Sequence, residues 1–252
     1  MWLEPYLIPK GFFKLIRAKG RNLEIGIRGI VIIVGNYGSG KTEIAINLAV
    51  HRKRAGLHVR IADLDLVNPY FRTREARRAL AECGIEVVLP AEQYLRADLP
   101  VLNPAVAGMI REPADLTLLD AGGDDVGATV LAALADAFKD KTVQMLQVIN
   151  PLRPVTGAVE GCLRIRREIE KAAQMTITGL IGNANLLDET SSEDIYSGYE
   201  FVKLLSDVSG LPLEFINLAK ELSAQIDFQR FSCPVLPIAR QLVPPWKKAK
   251  EL

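Results

Sequence analysis

The sequence predicts a single α/β domain in which a doubly wound, mostly parallel sheet is flanked by helices. Short apolar runs alternate with longer amphipathic segments, which is the pattern of repeated strand–helix–strand units. The apolar runs are rich in β-branched residues and lack polar alternation, as in strands that are buried on both faces. No repeat, low-complexity tract or Ser/Gly linker divides the 252 residues, so one domain is the simplest interpretation.

Each element follows from its own local signal. We predict strands over the short apolar runs 30–34, 59–62, 85–89, 116–119, 143–149, 177–181, 213–216 and 235–238. We predict helices over the amphipathic segments 43–55, 70–83, 126–138, 155–173, 197–208 and 218–226, and another from Pro104 with Asn103 as its N-cap. The chain then divides into a basic arm over 1–28, the domain over 29–240 and a tail over 241–252.

Composition and charge exclude several classes of protein. The net charge of +1 gives no indication of nucleic-acid binding. No apolar run reaches the roughly 18 residues that span a bilayer, and the N-terminus lacks the apolar stretch of a secretory signal, so we expect a cytoplasmic protein. The three cysteines lie far apart in the sequence, which excludes a local zinc or iron–sulfur motif.

The strongest motif is a glycine-rich loop between the first strand and the first helix. It fits the pattern GxxxxGK[ST] at every fixed position, and its residues are Gly35, Asn36, Tyr37, Gly38, Ser39, Gly40, Lys41 and Thr42. Glycines let such a loop aim backbone N–H groups at phosphate oxygens, and the following helix adds the positive end of its dipole. The lysine would reach the β- and γ-phosphates, and the threonine hydroxyl would bind Mg²⁺.

Acidic residues follow two of the predicted strands. Asp63 and Asp65 come just after the second strand, and Asp120 ends the strand over 116–119, with Gly122 and Gly123 directly behind it. Ligands of a doubly wound sheet bind at these strand ends, where the alternative role for an aspartate is to cap a turn. The candidate catalytic residues are Lys41, Asp63, Asp65 and Asp120. The candidate magnesium ligands are Thr42, Asp63 and Asp120.

Together these motifs resemble the MinD/ParA class of P-loop ATPases, which includes domains of cobyrinic-acid synthases and the nitrogenase iron protein. The resemblance covers about residues 29–240 and includes the weaker segments 148–151, 179–183 and 233–238. It implies a protein that binds ATP and Mg²⁺, with Gly122 and Gly123 near the γ-phosphate and Asn183 against the adenine.

The chain departs from this class in its phosphate loop. Asn36 stands where the class often has a lysine that reaches across a dimer, and Tyr37 stands where it usually has glycine. Asparagine carries no charge, so it cannot make an electrostatically equivalent contact across a homodimer. Arg72 and Arg74 could supply the missing charge across a dimer, although a solvated helix face is the alternative. The paired cysteines of iron proteins are also missing, so we expect no iron–sulfur cluster.

The sequence also bears on the choice of base and on the kind of partner. Asn185 to Asp188 spells NxxD, but Leu186 occupies the place of the lysine in the guanine-reading motif, so we prefer ATP over GTP. We favour a switch ATPase that acts on an unknown protein partner, or in maturation or assembly. The alternatives are an ATP-dependent synthetase resembling dethiobiotin or cobyrinate synthetases, which phosphorylates a small carboxylate, and a non-catalytic nucleotide-binding adaptor.

The basic arm over 1–28 admits two interpretations. Its apolar residues around Phe12 and Phe13, interspersed with basic ones, could lie on an anionic membrane. We favour packing of the arm against the domain or against a second subunit.

Overall fold

The computed structural model describes residues 24–65, 73–89, 104–123 and 125–242. Within them, eight strands form one sheet in the order β3-β2-β4-β1-β5-β6-β7-β8, and every pairing is parallel. The strands are β1 (Gly29–Val34), β2 (Val59–Leu64), β3 (Glu86–Val88), β4 (Leu116–Ala121), β5 (Val143–Ile149), β6 (Gly179–Gly182), β7 (Leu213–Ala219) and β8 (Val235–Ile238). The order reverses at β1, which confirms the doubly wound arrangement.

Helices connect the strands on both faces of the sheet. They are α1 (Lys41–Arg54), α2 (Arg77–Glu82), α3 (Pro104–Arg111), α4 (Asp125–Ala132), α5 (Ala135–Phe138), α6 (Val159–Ala173) and α7 (Ser192–Ser209). Pro104 is the first residue of α3, as predicted, whereas its expected cap Asn103 lies outside the described residues. None of the helices in the described ranges is both long and apolar enough to cross a bilayer.

The position of β1 between two layers of helices explains why its sequence lacks polar alternation. Val31 and Ile33 pack into one buried cluster with Leu48 of α1. Ile30 and Ile32 point to the opposite face, into a second cluster that includes residues of α3 and α4. Successive strand residues point to opposite faces, so a central strand between two layers of helices must be apolar throughout.

The predicted helix over 218–226 is wrong. Leu218 and Ala219 belong to β7, where they pair with Pro237 and Ile238 of β8, and a 3₁₀ turn over Lys220–Gln225 follows. Pairing with the edge strand overrides the local helical pattern. The single helix predicted over 126–138 is divided in two at Leu134, whose N–H donates to the carbonyl of Leu131 at 3.0 Å in a 3₁₀-type turn.

Candidate functional site

The glycine-rich loop folds as its sequence predicts, around backbone angles that favour glycine. Gly35, Gly38 and Gly40 have φ angles of 146°, 73° and 93°. A Cβ atom on Gly40 would clash with Nδ2 of Asn183, so a larger residue would have to displace that side chain and would also adopt an unfavourable backbone angle. Helix α1 begins at the next residue, so its free N–H groups open into the cradle that the loop forms.

Lys41 lies inside this cradle. Its side chain is buried, and Nζ donates a hydrogen bond to the carbonyl of Asn36 at 3.2 Å across the loop. A Cβ atom on Gly123 would lie 2.6 Å from that Nζ and 3.0 Å from the backbone nitrogen of Tyr37. The two loops that the sequence singled out, after β1 and after β4, therefore meet at Lys41.

The two candidate metal-binding aspartates lie within strands, where each is the last residue but one. Asp63 of β2 and Asp120 of β4 are a register pair on neighbouring strands, and each is 1% exposed. Oδ2 of Asp120 accepts a hydrogen bond of 2.8 Å from the Thr73 hydroxyl. Oδ1 of Asp120 is buried and has no hydrogen-bond partner among the described residues.

This environment raises the pKa of Asp120 to about 7. Burial is the largest cause, and the neighbouring Asp63 charge adds to it. The nearby Thr42 hydroxyl, the hydrogen bond from the Thr73 hydroxyl and the charge of Lys41 oppose the rise in pKa. An unpartnered carboxylate oxygen beside a threonine hydroxyl suits a hard cation such as Mg²⁺.

The chemistry of these donors fits Mg²⁺ held jointly by protein and phosphate. In the described ranges no group of three or more His, Cys, Asp or Glu side chains forms a complete metal site. Mg²⁺ commonly takes one or two carboxylates and completes its shell with waters and phosphate oxygens. Asp65 occupies the rim of the site, where its N–H donates to Oδ1 of Asp63 at 3.0 Å.

A cavity of about 780 Å³ opens above the phosphate loop. Its size lies within the range of about 300–1,000 Å³ that small-molecule sites occupy. The walls come from the carboxyl ends of β1, β2, β5, β6 and β7 and from residues that follow β8. They include Asp65, Asn150, Asn183, Asn217 and Arg240. This is the place at which doubly wound sheets bind their ligands.

Asn183 holds the backbone of the phosphate loop through a hydrogen bond. Its Nδ2 donates a hydrogen bond of 2.6 Å to the carbonyl of Ser39, and its Oδ1 is buried with no partner in the described part of the chain. The observed contact is therefore with the loop backbone. The contact between Asn183 and an adenine stays a prediction.

The far wall of the cavity is attached to α1 by two polar side chains that the sequence analysis missed. The carboxylate of Glu43 accepts hydrogen bonds from the N–H groups of Gln241 at 2.8 Å and Leu242 at 3.0 Å. Asn47 exchanges hydrogen bonds with the backbone of Ala239. Burial raises the pKa of Glu43, and its two backbone hydrogen bonds oppose that rise.

The loop after β5 brings a second basic side chain to the cavity, and the sequence analysis missed it. Arg153 lines the cavity, and its Nε lies 3.9 Å from the place of a Cβ on Gly38. Its position in the sequence could have identified it as a site residue. It closely follows the Asn-Pro pair at the carboxyl end of a central strand, where ligands bind.

Several predicted features lie outside the described residues. These are the arm over 1–23, Arg72, the side chain of Arg74, and the tail over 243–252. Their proposed roles stay predictions.

No family model matches the chain, and no curated protein matches it. Solved structures do match. Cell division protein FtsY from Thermotoga maritima superposes with a TM-score of 0.54 at 21% identity, over 80% of this chain and 65% of that one. The signal recognition particle 54 kDa protein from Aeropyrum pernix, in complex with GDP, has a TM-score of 0.50 at 19% identity, over 81% of this chain and 46% of that one. The septum site-determining protein MinD from Pyrococcus horikoshii, complexed with Mg-ADP, has a TM-score of 0.46 at 18% identity, over 81% and 86%.

The similarities to FtsY and to the signal recognition particle protein show the fold. The chain has the P-loop NTPase α/β fold, with one parallel sheet between layers of helices. It spans 65% and 64% of the length of the FtsY proteins from Thermotoga maritima and Mycoplasma mycoides. Membership of the MinD/ParA class stays a prediction.

Proposed function

We propose that the chain is a magnesium-dependent switch protein that binds and hydrolyses ATP. The observation that carries this proposal is the meeting of three elements at one point, where Gly123 lies against both Lys41 and the backbone of Tyr37. A loop in this position would contact the last phosphate of a triphosphate and would lose that contact after hydrolysis. The change would then be available to a protein partner.

Each residue has a distinct role in this proposal. The loop N–H groups and Lys41 bind the phosphates, and Asp120 and Thr42 hold the metal, which when bound neutralises charge on the β- and γ-phosphates. Asp63, beside Asp120, or Asp65 at the rim orients the attacking water. Asp120 must be ionised to bind the cation, so its pKa of about 7 makes metal binding sensitive to pH.

We favour ATP over GTP because the segment from Asn185 to Asp188 does not match the motif that recognises guanine. Leu186 cannot replace the lysine of the guanine-reading motif, and Asp188 pairs with Arg240 at 3.2 Å. Since structures of this fold include one in complex with GDP, the preference is tested by direct competition between the two nucleotides.

Calorimetry of Mg-ATP and Mg-GTP with the parent protein and Lys41→Ala tests the proposal. Loss of the Lys41 charge inside the cradle should weaken ATP binding by about tenfold or more, which corresponds to about 1.4 kcal/mol. Lys139→Ala, at an exposed lysine remote from the loop, is the control for the change in net charge. If the parent and Lys41→Ala bind ATP equally, the phosphate-loop proposal is wrong.

The synthetase alternative makes a different kinetic prediction. A synthetase transfers phosphate to a carboxylate substrate, so its ATP consumption would depend on adding that acid. A switch ATPase would hydrolyse ATP without it and would respond to a protein partner or to a second copy of the chain. An adaptor would bind nucleotide and leave it intact.

A further inference from the structure

We propose that Arg153 binds a phosphate group of the nucleotide from within the same chain and supplies the positive charge that Asn36 lacks. This inference rests on the proposed function, because it places one further residue in the same nucleotide site. It makes the phosphate site complete in one subunit, without a cation from a second chain. It also differs from the expectation that Arg72 or Arg74 supplies that charge.

The position of Arg153 supports this role. The side chain lines the cavity, and its Nε lies beside Gly38, at the middle of the phosphate loop. That Nε is buried and has no hydrogen-bond partner among the described residues. A buried guanidinium nitrogen without a partner is costly, and an anionic ligand in the cavity would satisfy it.

The backbone around Arg153 is held in place. Oδ1 of Asn150 accepts a hydrogen bond from the N–H of Leu152 at 3.1 Å, and the carbonyl of Asn150 accepts one from the Thr156 hydroxyl at 2.6 Å. A Cβ atom on Gly161 of α6 would lie only 2.0 Å from the carbonyl oxygen of Val155, so the helix packs directly against this loop. The loop therefore presents its arginine from a rigid support, which favours a precise contact with a ligand.

The other cations of the cavity have partners already. Arg240 pairs with Asp188 at 3.2 Å, and Lys41 donates to the carbonyl of Asn36. Of the two arginines that line the cavity in the described part of the chain, Arg153 is the one with an unpartnered buried nitrogen. A planar guanidinium with several donors matches phosphate oxygens better than an ammonium does.

The test is calorimetric titration of Mg-ATP and Mg-ADP into the full chain and four variants, with affinity as the readout. Arg153→Ala should weaken ATP binding by about tenfold or more, the usual effect of losing a charged hydrogen bond. Arg153→Gln keeps a polar side chain that is shorter and uncharged, so it should show a similar loss, whereas Arg153→Lys keeps the charge and should recover part of the affinity. Arg167→Ala, at an exposed arginine of α6, removes the same charge and should leave the affinity unchanged.

The outcomes separate this inference from the proposed function. If the parent does not bind ATP, both are overturned. If the parent binds ATP but Arg153→Ala and Arg153→Gln bind it equally well, only the role of Arg153 is overturned. An equal loss in Arg167→Ala would also overturn it, because the effect would then reflect net charge alone. Thermal unfolding of each variant identifies any that does not fold, and Arg153→Lys then serves as the comparison.

Discussion

Asp63 and Asp120 lie side by side on adjacent parallel strands, and both carboxyl groups are almost fully buried. Burial and the Asp63 charge hold the pKa of Asp120 near 7 in the absence of metal. Two neighbouring carboxylates in this position favour a proton on one of them until a cation replaces it. If Mg²⁺ binds at Asp120 as proposed, its binding should therefore release a proton.

The first prediction concerns pH. Mg-dependent ATP affinity should rise between about pH 6 and pH 8 as Asp120 loses its proton, and this rise should disappear in Asp120→Asn. Calorimetry in buffers with different ionisation enthalpies measures the proton released on binding. Parallel pH profiles for the parent and Asp120→Asn would contradict the assignment.

The first prediction has a second part, which concerns how stability without metal depends on pH. The folded pKa lies above the ordinary value of 3.8, so the folded state holds its proton more tightly than the unfolded state. The contribution of Asp120 to the free energy of unfolding should therefore fall as pH rises from about 4 to about 7. Urea denaturation across this range should show a smaller fall for Asp120→Asn than for the parent.

The second prediction concerns Thr73, a buried residue that the sequence analysis did not single out. Its hydroxyl donates to Oδ2 of Asp120 and lowers the pKa of that carboxyl group. Thr73→Val keeps the shape and removes the donor, so the pH midpoint of Mg-dependent ATP binding should move upward. Thr73→Ser keeps the hydroxyl and should retain the midpoint. An unchanged midpoint in Thr73→Val would show that the hydrogen bond does not govern the ionisation of Asp120.

The third prediction tests the contact between the two loops. In Gly123→Ala the added Cβ would meet Nζ of Lys41 and the backbone of Tyr37, so the loops must move apart by several tenths of an ångström. ATP hydrolysis should fall by about tenfold or more, because catalysis is sensitive to small displacements. ADP affinity should change much less. Gly108→Ala in α3 is the control, since its Cβ has no neighbour within 4 Å.

The fourth prediction concerns the support beneath the phosphate loop. Asn183→Ala removes the hydrogen bond to the Ser39 carbonyl, which should reduce stability by about 1–3 kcal/mol and weaken nucleotide binding. Asn183→Asp replaces the donor amide with a negative charge close to the site and should weaken ATP binding more. Urea denaturation and calorimetry measure the two effects. If Asn183→Asp bound ATP as tightly as the parent, the side chain would be too far from the phosphates for its charge to affect binding, and the prediction would be wrong.

The central sheet and the phosphate loop could be predicted because their signals are local. A β-branched strand, a glycine-rich turn and a helix follow one another within 26 residues, from Gly29 to Arg54. The aspartates at the ends of β2 and β4 could be predicted for the same reason, since parallel strands bring their carboxyl ends to one edge.

The residues that complete the site could not be predicted, because their contacts are distant in sequence. Thr73 meets Asp120 across 47 residues, and Glu43 meets Gln241 across 198. No local sequence motif around Thr73 or Glu43 predicts these partners. The helix over 218–226 was wrong for a related reason, since pairing between β7 and β8 decides the backbone there.

The attachment of residues 239–242 to α1 has a consequence for synthesis on the ribosome. Glu43 and Asn47 emerge early, whereas the backbone groups that satisfy them are translated about 190 residues later. In a nascent chain that has made its phosphate loop, these side chains must therefore bond to water and to each other until residues 239–242 dock against α1. Contacts of such long sequence separation form slowly, so this wall of the cavity should be the last part of the nucleotide site to form.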